Sequence, residues 1–427
     1  MRTIKALLII FNLVSSLSYA GEGVTSVDIH GFISQGYLKT DHNNYLAQSE
    51  KGSFQFNEMA LNFGTDLTEN LRFGCQFFAR DLGENGNDAL ILDWAFADYR
   101  WRDFLGVRIG KVKAAFGYYN AIRDFDVLRT GVFAPQSVYP ELLRDTYSFI
   151  KGLSLYGYKS VGPLGNFSYS YSIGLLNVST ASAYKNAVED FWSLYNLRID
   201  EMGVDLSHFW ECQWETPVPG LVVGGTYYYT DDLYFTGNTG GKDPAIDAYF
   251  QIDYFREYMD IYGYFLLLRY SFYNAVFMTE FWRNTIEGLI DVDKPVGDRG
   301  FLPTTDLINQ GWYASLSYRF HERFEAEYSY SVQYPDMDNK DGHALFKPSP
   351  AGIHMKYAGW PKIFNGYDFE AWKKTSTFSF RFDLNAFWLV KIEASYNDGF
   401  GDYTFTGNPD GLHRYWWLYA AKVTYSF

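Results

Sequence analysis

The closing segment, Tyr415 to Phe427, alternates with a period of two. Tyr415, Trp417, Tyr419, Ala421, Val423, Tyr425 and Phe427 are apolar or aromatic, while Lys422, Thr424 and Ser426 turn the other set polar. That period defines a strand with one apolar and one wetter face. At about 3.3 Å per residue and tilted, a strand of this length crosses a bilayer. The same alternation recurs along the whole chain, and this repetition is what limits the folds open to it.

The N-terminus sets a second limit. Arg2 and Lys5 give a basic start, Ala6 to Leu17 an apolar run, and Ser18-Tyr19-Ala20 a small-x-small cleavage site. This is a secretory signal over residues 1–20, too short to span as a helix, and the mature chain is expected to begin at Gly21. Loss of two positives takes the formal charge from -14 to -16. No later run reaches the roughly 18 apolar residues of a membrane helix. An exported chain that crosses with strands must close them into a barrel, because hydrocarbon leaves no place for an unpaired edge. The expected class is therefore all-β, a single transmembrane antiparallel barrel over residues 21–427.

Aromatic residues make up 20 % of the chain, although its mean hydropathy is only -0.22. Barrels use such residues as girdles at both membrane interfaces. The acidic balance argues against a nucleic-acid partner. Cys75 and Cys212 lie far apart and read as wall residues; their spacing gives no support for a disulfide.

Taken in order, the pattern predicts about sixteen strands, joined by seven short turns and eight long loops. The first four run near Val27–Leu38, Phe54–Thr65, Leu71–Ala79 and Ala89–Trp101, with Trp94 and Phe96 on the lipid face of the last. Further on, Leu221–Thr230, Tyr262–Phe272, Ala275–Thr285 and Trp312–Phe320 are read as strands separated by loops to about Met259 and over Ile286–Gln310. An even count puts both termini on the periplasmic side and all long loops outside. After the fifth strand, Gly106–Lys113, alternation fails from Ala114 to Ile150. A structureless run that long inside an ordered domain is usually functional. It carries Arg123, Asp124, Asp126, Arg129, Glu141, Arg144 and Asp145.

The segment Val107-Arg108-Ile109-Gly110-Lys111-Val112-Lys113-Ala114-Ala115-Phe116-Gly117 resembles the strand before the constriction loop in phosphate-selective-type porins, and the whole architecture resembles that of Gram-negative outer-membrane porins. The resemblance implies a sixteen-stranded, trimeric, passive diffusion channel whose long third loop, residues 114–150, folds into the lumen. It implies that Tyr425 and Phe427 are the insertion signal read by the barrel-assembly machinery. It does not carry phosphate selectivity, which calls for ladders of Arg and Lys; here bases alternate with at least as many acids.

On this reading the seven loop charges line the constriction, and Glu58, Arg72, Arg80, Asp93, Arg108, Arg319, Glu325, Glu327 and Arg381 line the pore wall. Wall arginines opposite loop carboxylates set up a transverse field with weak selectivity, because neither sign dominates. For any one of these charges, structural pairing is the competing role, and it outweighs solute contact. Phe116, Tyr118, Tyr119, Phe125 and Tyr139 are expected to pack the loop against the wall in preference to forming a sugar track. No metal or cofactor is implied. The run from Asp336 fails as a calcium loop, with Gly342 at the seventh place and Lys347 at the twelfth. The histidines are scattered and no nucleophile motif is present, so no enzyme is expected. The expected partners are small hydrophilic solutes and ions, and outer-membrane lipid. An oxyanion or sugar channel, or a non-conducting surface receptor with the third loop packed outward, remain open alternatives.

Overall fold

The computed structural model describes residues 26–83, 85–180, 182–191, 197–239, 255–292, 304–343, 348–349, 352–353, 367–401, 408 and 411–427. The secretory signal expected over residues 1–20 lies outside them. We number the wall strands β1 (Asp28–Thr40), β2 (Phe56–Thr68), β3 (Leu71–Leu82), β4 (Ile91–Arg102), β5 (Leu105–Lys113), β6 (Phe149–Ser160) and β7 (Asn166–Leu176). There follow β8 (Leu197–Gly203 continued by Leu206–Glu215), β9 (Leu221–Thr239), β10 (Phe255–Phe272), β11 (Ala275–Val292) and β12 (Thr304–His321). The last four are β13 (Phe324–Tyr334), β14 (Lys373–Asp383), β15 (Trp388–Gly399) and β16 (Tyr415–Ser426).

The two parts of β8 pair end to end with the same partner, β9, so the seventeen hydrogen-bonded segments make sixteen strands. Each strand is antiparallel to its sequence neighbours, and β16 pairs with β1 from Ser426 opposite Phe32 to Leu418 opposite Thr40. The sheet therefore has no edge, which is the condition hydrocarbon imposes. At the seam Phe427 and Gly31 exchange both backbone hydrogen bonds at 3.0 Å, and a Cβ on Gly31 would meet the Phe427 ring at 2.6 Å.

The period of two separates the faces as expected. In β15 and β16, Ile392, Tyr419 and Val423 are exposed to the outside, while Lys391, Glu393, Lys422 and Thr424 are buried within. At the end of the short hairpins Trp101 and Phe104, Phe272 and Tyr273, and Trp388 and Tyr425 form an aromatic girdle. Cys75 and Cys212 are unpaired wall residues on β3 and β8.

Two expectations are corrected here. Trp94 and Phe96 do not face outward. The β3–β4 register slips at Asp93, so Leu92 opposes Phe77 but Trp94 opposes Gln76 and Phe96 opposes Gly74. The extra residue is a β-bulge, and one residue of slip turns the following side chains to the other face. Secondly, β9 to β12 run well past their expected ends, with 19, 18, 18 and 18 residues. They take in much of what the pattern assigned to loops.

Candidate functional site

The segment between β5 and β6 lies inside the barrel, as its bonds to inward-facing side chains require. Strand β6 begins at Phe149, so the loop is residues 114–148. Its base is closed by Asn120, whose side-chain amide donates to the Ala114 carbonyl at 2.9 Å and the Ser148 carbonyl at 3.3 Å. Gly117 takes a positive φ of 68°, open to glycine at little cost, and a Cβ there would lie 2.3 Å from the Tyr139 hydroxyl.

From that bend the loop crosses to β10–β12. Glu280 of β11 is the anchor: it accepts from the Tyr118 amide at 2.9 Å, the Tyr139 hydroxyl at 2.6 Å and the Tyr313 hydroxyl at 2.7 Å. Burial, reinforced by the Glu280 carboxylate, pushes the Tyr139 hydroxyl well above its ordinary range, so it remains a donor. Arg269 donates to the Tyr118 hydroxyl at 2.6 Å. Phe116 packs on Tyr147, Tyr228 and Phe265, the centre of a large apolar cluster on the β5–β12 side of the lumen. The Ser137 hydroxyl donates to the Trp312 carbonyl at 3.2 Å; this approach depends on Gly311, where a Cβ would come within 1.8 Å of the Ser137 carbonyl oxygen.

The loop tip then reaches the opposite wall. Asp126 meets Lys422 at 2.8 Å, Arg129 at 2.9 Å and Lys391 at 3.7 Å, and accepts from Thr424 at 2.7 Å. Lys422 also pairs with Glu58. Burial acts to raise the Asp126 carboxyl, but Lys422, Lys391 and Arg129 outweigh it and hold it below the ordinary range. A second network closes the returning limb. Glu141 bridges Arg80 at 2.9 Å and Arg123 at 2.8 Å; Arg144 joins Asp124 at 2.5 Å, Asp145 at 3.0 Å and Asp93 at 3.7 Å. Arg80 also reaches Asp145, and Lys113 reaches Asp124. For Glu141 burial raises the carboxyl, yet Arg123 and Arg80 bring it down to about 2.

All seven charged loop residues singled out from sequence thus join these networks: Asp124, Asp126, Glu141, Arg144 and Asp145 touch the wall directly, while Arg123 and Arg129 pair within the loop. Glu58, Arg80, Asp93, Glu325 and Arg381 join them: Thr130 donates to Glu325, and Arg381 to the Val127 carbonyl at 2.6 Å. The remaining wall residues do not touch the loop through such bonds. Arg72 lies exposed 3.8 Å from Asp66, Arg108 pairs with Asp98 at 2.9 Å, and Arg319 pairs with Glu325 at 2.7 Å and Asp383 at 3.2 Å. Glu327 has neither ion pair nor hydrogen bond among the described residues, and borders a cavity of about 50 Å3 between loop and wall. Tyr425 packs on Trp388 and Phe427 at the seam. Of the loop aromatics, Phe116, Tyr118, Tyr119 and Tyr139 pack as expected; Phe125 is exposed.

Sequence reasoning passed over Glu280 and Gly311. A lone carboxylate among inward positions otherwise held by Met278, Trp282, Asn284 and Ile286 was the available signal for the first. For the second, nothing in the sequence distinguishes that glycine from the others.

The comparisons agree with this architecture. Across 94 % of this chain and 97 % of the other, the structure is similar to OmpF of Salmonella typhi in complex with daunomycin, with TM-score 0.55 and 12 % identity. The anion-selective porin from Comamonas acidovorans gives 0.54 and 11 %, over 94 % of this chain and 99 % of that one. The outer membrane channel DcaP of Acinetobacter baumannii gives 0.51 and 10 %, over 96 % and 99 %. No protein-family model and no curated protein sequence matches the chain. The class defined is a closed sixteen-stranded antiparallel barrel. More narrowly, the chain has the fold of the Gram-negative outer-membrane porins.

Proposed function

We propose that this protein is a passive diffusion channel of the outer membrane, passing small hydrophilic solutes and ions through a water-filled lumen and catalysing no reaction. The observation that carries the reading is a closed barrel with a polar inner wall across which one loop is laid and bonded from both sides. Residues 1–20 direct export, the barrel-assembly machinery reads Tyr425 and Phe427, and the mature chain assembles as a homotrimer. The seven loop charges and the wall charges that join them, Glu58, Arg80, Asp93, Glu325 and Arg381, form the frame of the constriction. Their pairing keeps the neck in shape at little net charge, so discrimination among small solutes is weak. A receptor barrel would carry this loop packed outward; its bonds to inward side chains favour the channel.

The test is single-channel recording of refolded protein in a planar bilayer. Stepwise openings, in threes for a trimer, with a reversal potential near zero or mildly cation-selective under a salt gradient, are expected. Silence from protein that migrates as a folded barrel sinks the reading.

A further inference from the structure

We infer that permeating solutes pass between loop residues 131–136 and the β13–β15 wall, and that Glu327 and Glu393 make this lane prefer small cations. The inference rests on the channel reading and adds to it the route and the sign of charge.

The β5–β12 side of the lumen is occupied by the apolar cluster around Phe116. The loop acids are in direct contact with the basic wall, and the space lined by Glu58, Asp124, Glu141 and Lys422 amounts to only about 10 Å3. The cavity of about 50 Å3 lies elsewhere, bordered by Gly131 and Phe133 to Gln136 on one side and by β13, β14 and β15 on the other. It has room for about four water-sized spheres, too few for a sugar ring.

Its wall is built in cross-strand rows. Ser331, Thr375 and Asn397 are opposite one another, then Ser329, Thr377 and Ser395, then Glu327, Ser379 and Glu393. Next comes the basic row Glu325, Arg381, Lys391 and Lys422, whose cations are engaged by Asp126, Asp383 and the carbonyls of Gly131 and Val127. A hydroxyl ladder therefore leads to two carboxylates. Ser329 and Ser331 are each only 8 % exposed, line the cavity, and have hydroxyls without a hydrogen-bond partner among the described residues. Neither hydroxyl is sealed off, so both can meet water or a solute in the cavity. Glu393 is held by the Val132 amide at 2.8 Å and the Ser379 hydroxyl at 3.2 Å, and among the described residues meets no cation within ion-pair distance. Two carboxylates without counter-ions on one row repel anions and gain from a passing cation, whose hydration shell the hydroxyls replace. Lys373 stands at the far end, drawn aside to the Tyr45 hydroxyl at 2.9 Å.

Reversal potentials in a potassium chloride gradient test the charge. Glu327→Gln is expected to lower the potassium-to-chloride permeability ratio about threefold while conductance persists. A conducting variant with unchanged ratio overturns the assignment and leaves the channel reading standing; wild-type protein that does not conduct overturns both. The route is tested separately by Thr377→Cys in a Cys75→Ser, Cys212→Ser background. A cationic methanethiosulfonate should block current faster than an anionic one. Failure of both to alter current in the conducting variant rejects the lane.

Discussion

At the scale of the residue, two buried carboxyl groups do opposite things. Glu280 accepts from three donors, so its value lies in satisfying others. Glu280→Ala leaves the Tyr139 and Tyr313 hydroxyls and the Tyr118 amide seeking new acceptors, at about 1–3 kcal/mol each. The expected result is a lower unfolding temperature together with noisier single-channel current as the loop loosens; unchanged values for both would show that the anchor is elsewhere. Glu370, in the segment before β14, has no side-chain or ionic partner for its carboxylate oxygens among the described residues. Burial raises it from 4.5 to about 9. The sign follows directly: below 4.5 the group is protonated folded or unfolded, and between 4.5 and about 9 folding must hold a proton the unfolded chain has released. Stability is therefore lost as pH rises through that window. Glu370→Gln should raise the unfolding temperature at pH 8 and give no such gain at pH 4, read by thermal melts at the two values.

At the scale of the element, all sixteen strands were legible because lipid on one side and water or loop on the other enforce a period of two. The overlong ends of β9 to β12 were not. Segments such as Arg256 to Asp260 and Glu287 to Asp291 mix polar and apolar residues without a consistent lipid-facing set, and the alternation that marks a half-buried strand fades there. The bulge at Asp93 was invisible for another reason: one inserted residue changes the phase and leaves the composition as it was. The loop's charges were legible as a set, but their partners were not, since Asp126 meets Lys422 only after the barrel closes. Gly311 joins strand and loop most tightly. Gly311→Ala places a methyl against the Ser137 oxygen, so the loop must shift. We expect altered conductance with an intact barrel, checked by recording alongside gel migration of unheated protein; wild-type conductance would contradict the contact.

For the whole molecule, closure depends on a short seam. Phe427 contributes two backbone hydrogen bonds and a ring lying against Gly31. Deleting it should lower the yield of folded barrel on refolding into detergent or vesicles, while variants of exposed β6 residues should not. Equal yields would relieve the terminus of that role. The long strands have a different consequence. Eighteen residues at about 3.3 Å and a tilt near 40° rise some 45 Å, against an apolar band of about 25 Å. Strands β9 to β12 thus stand as a palisade along one quarter of the circumference, while β13 to β16, at 11 or 12 residues, end low. Among the described residues the sheet itself is accordingly lopsided, a tall rampart of strand on one side facing a low sill on the other.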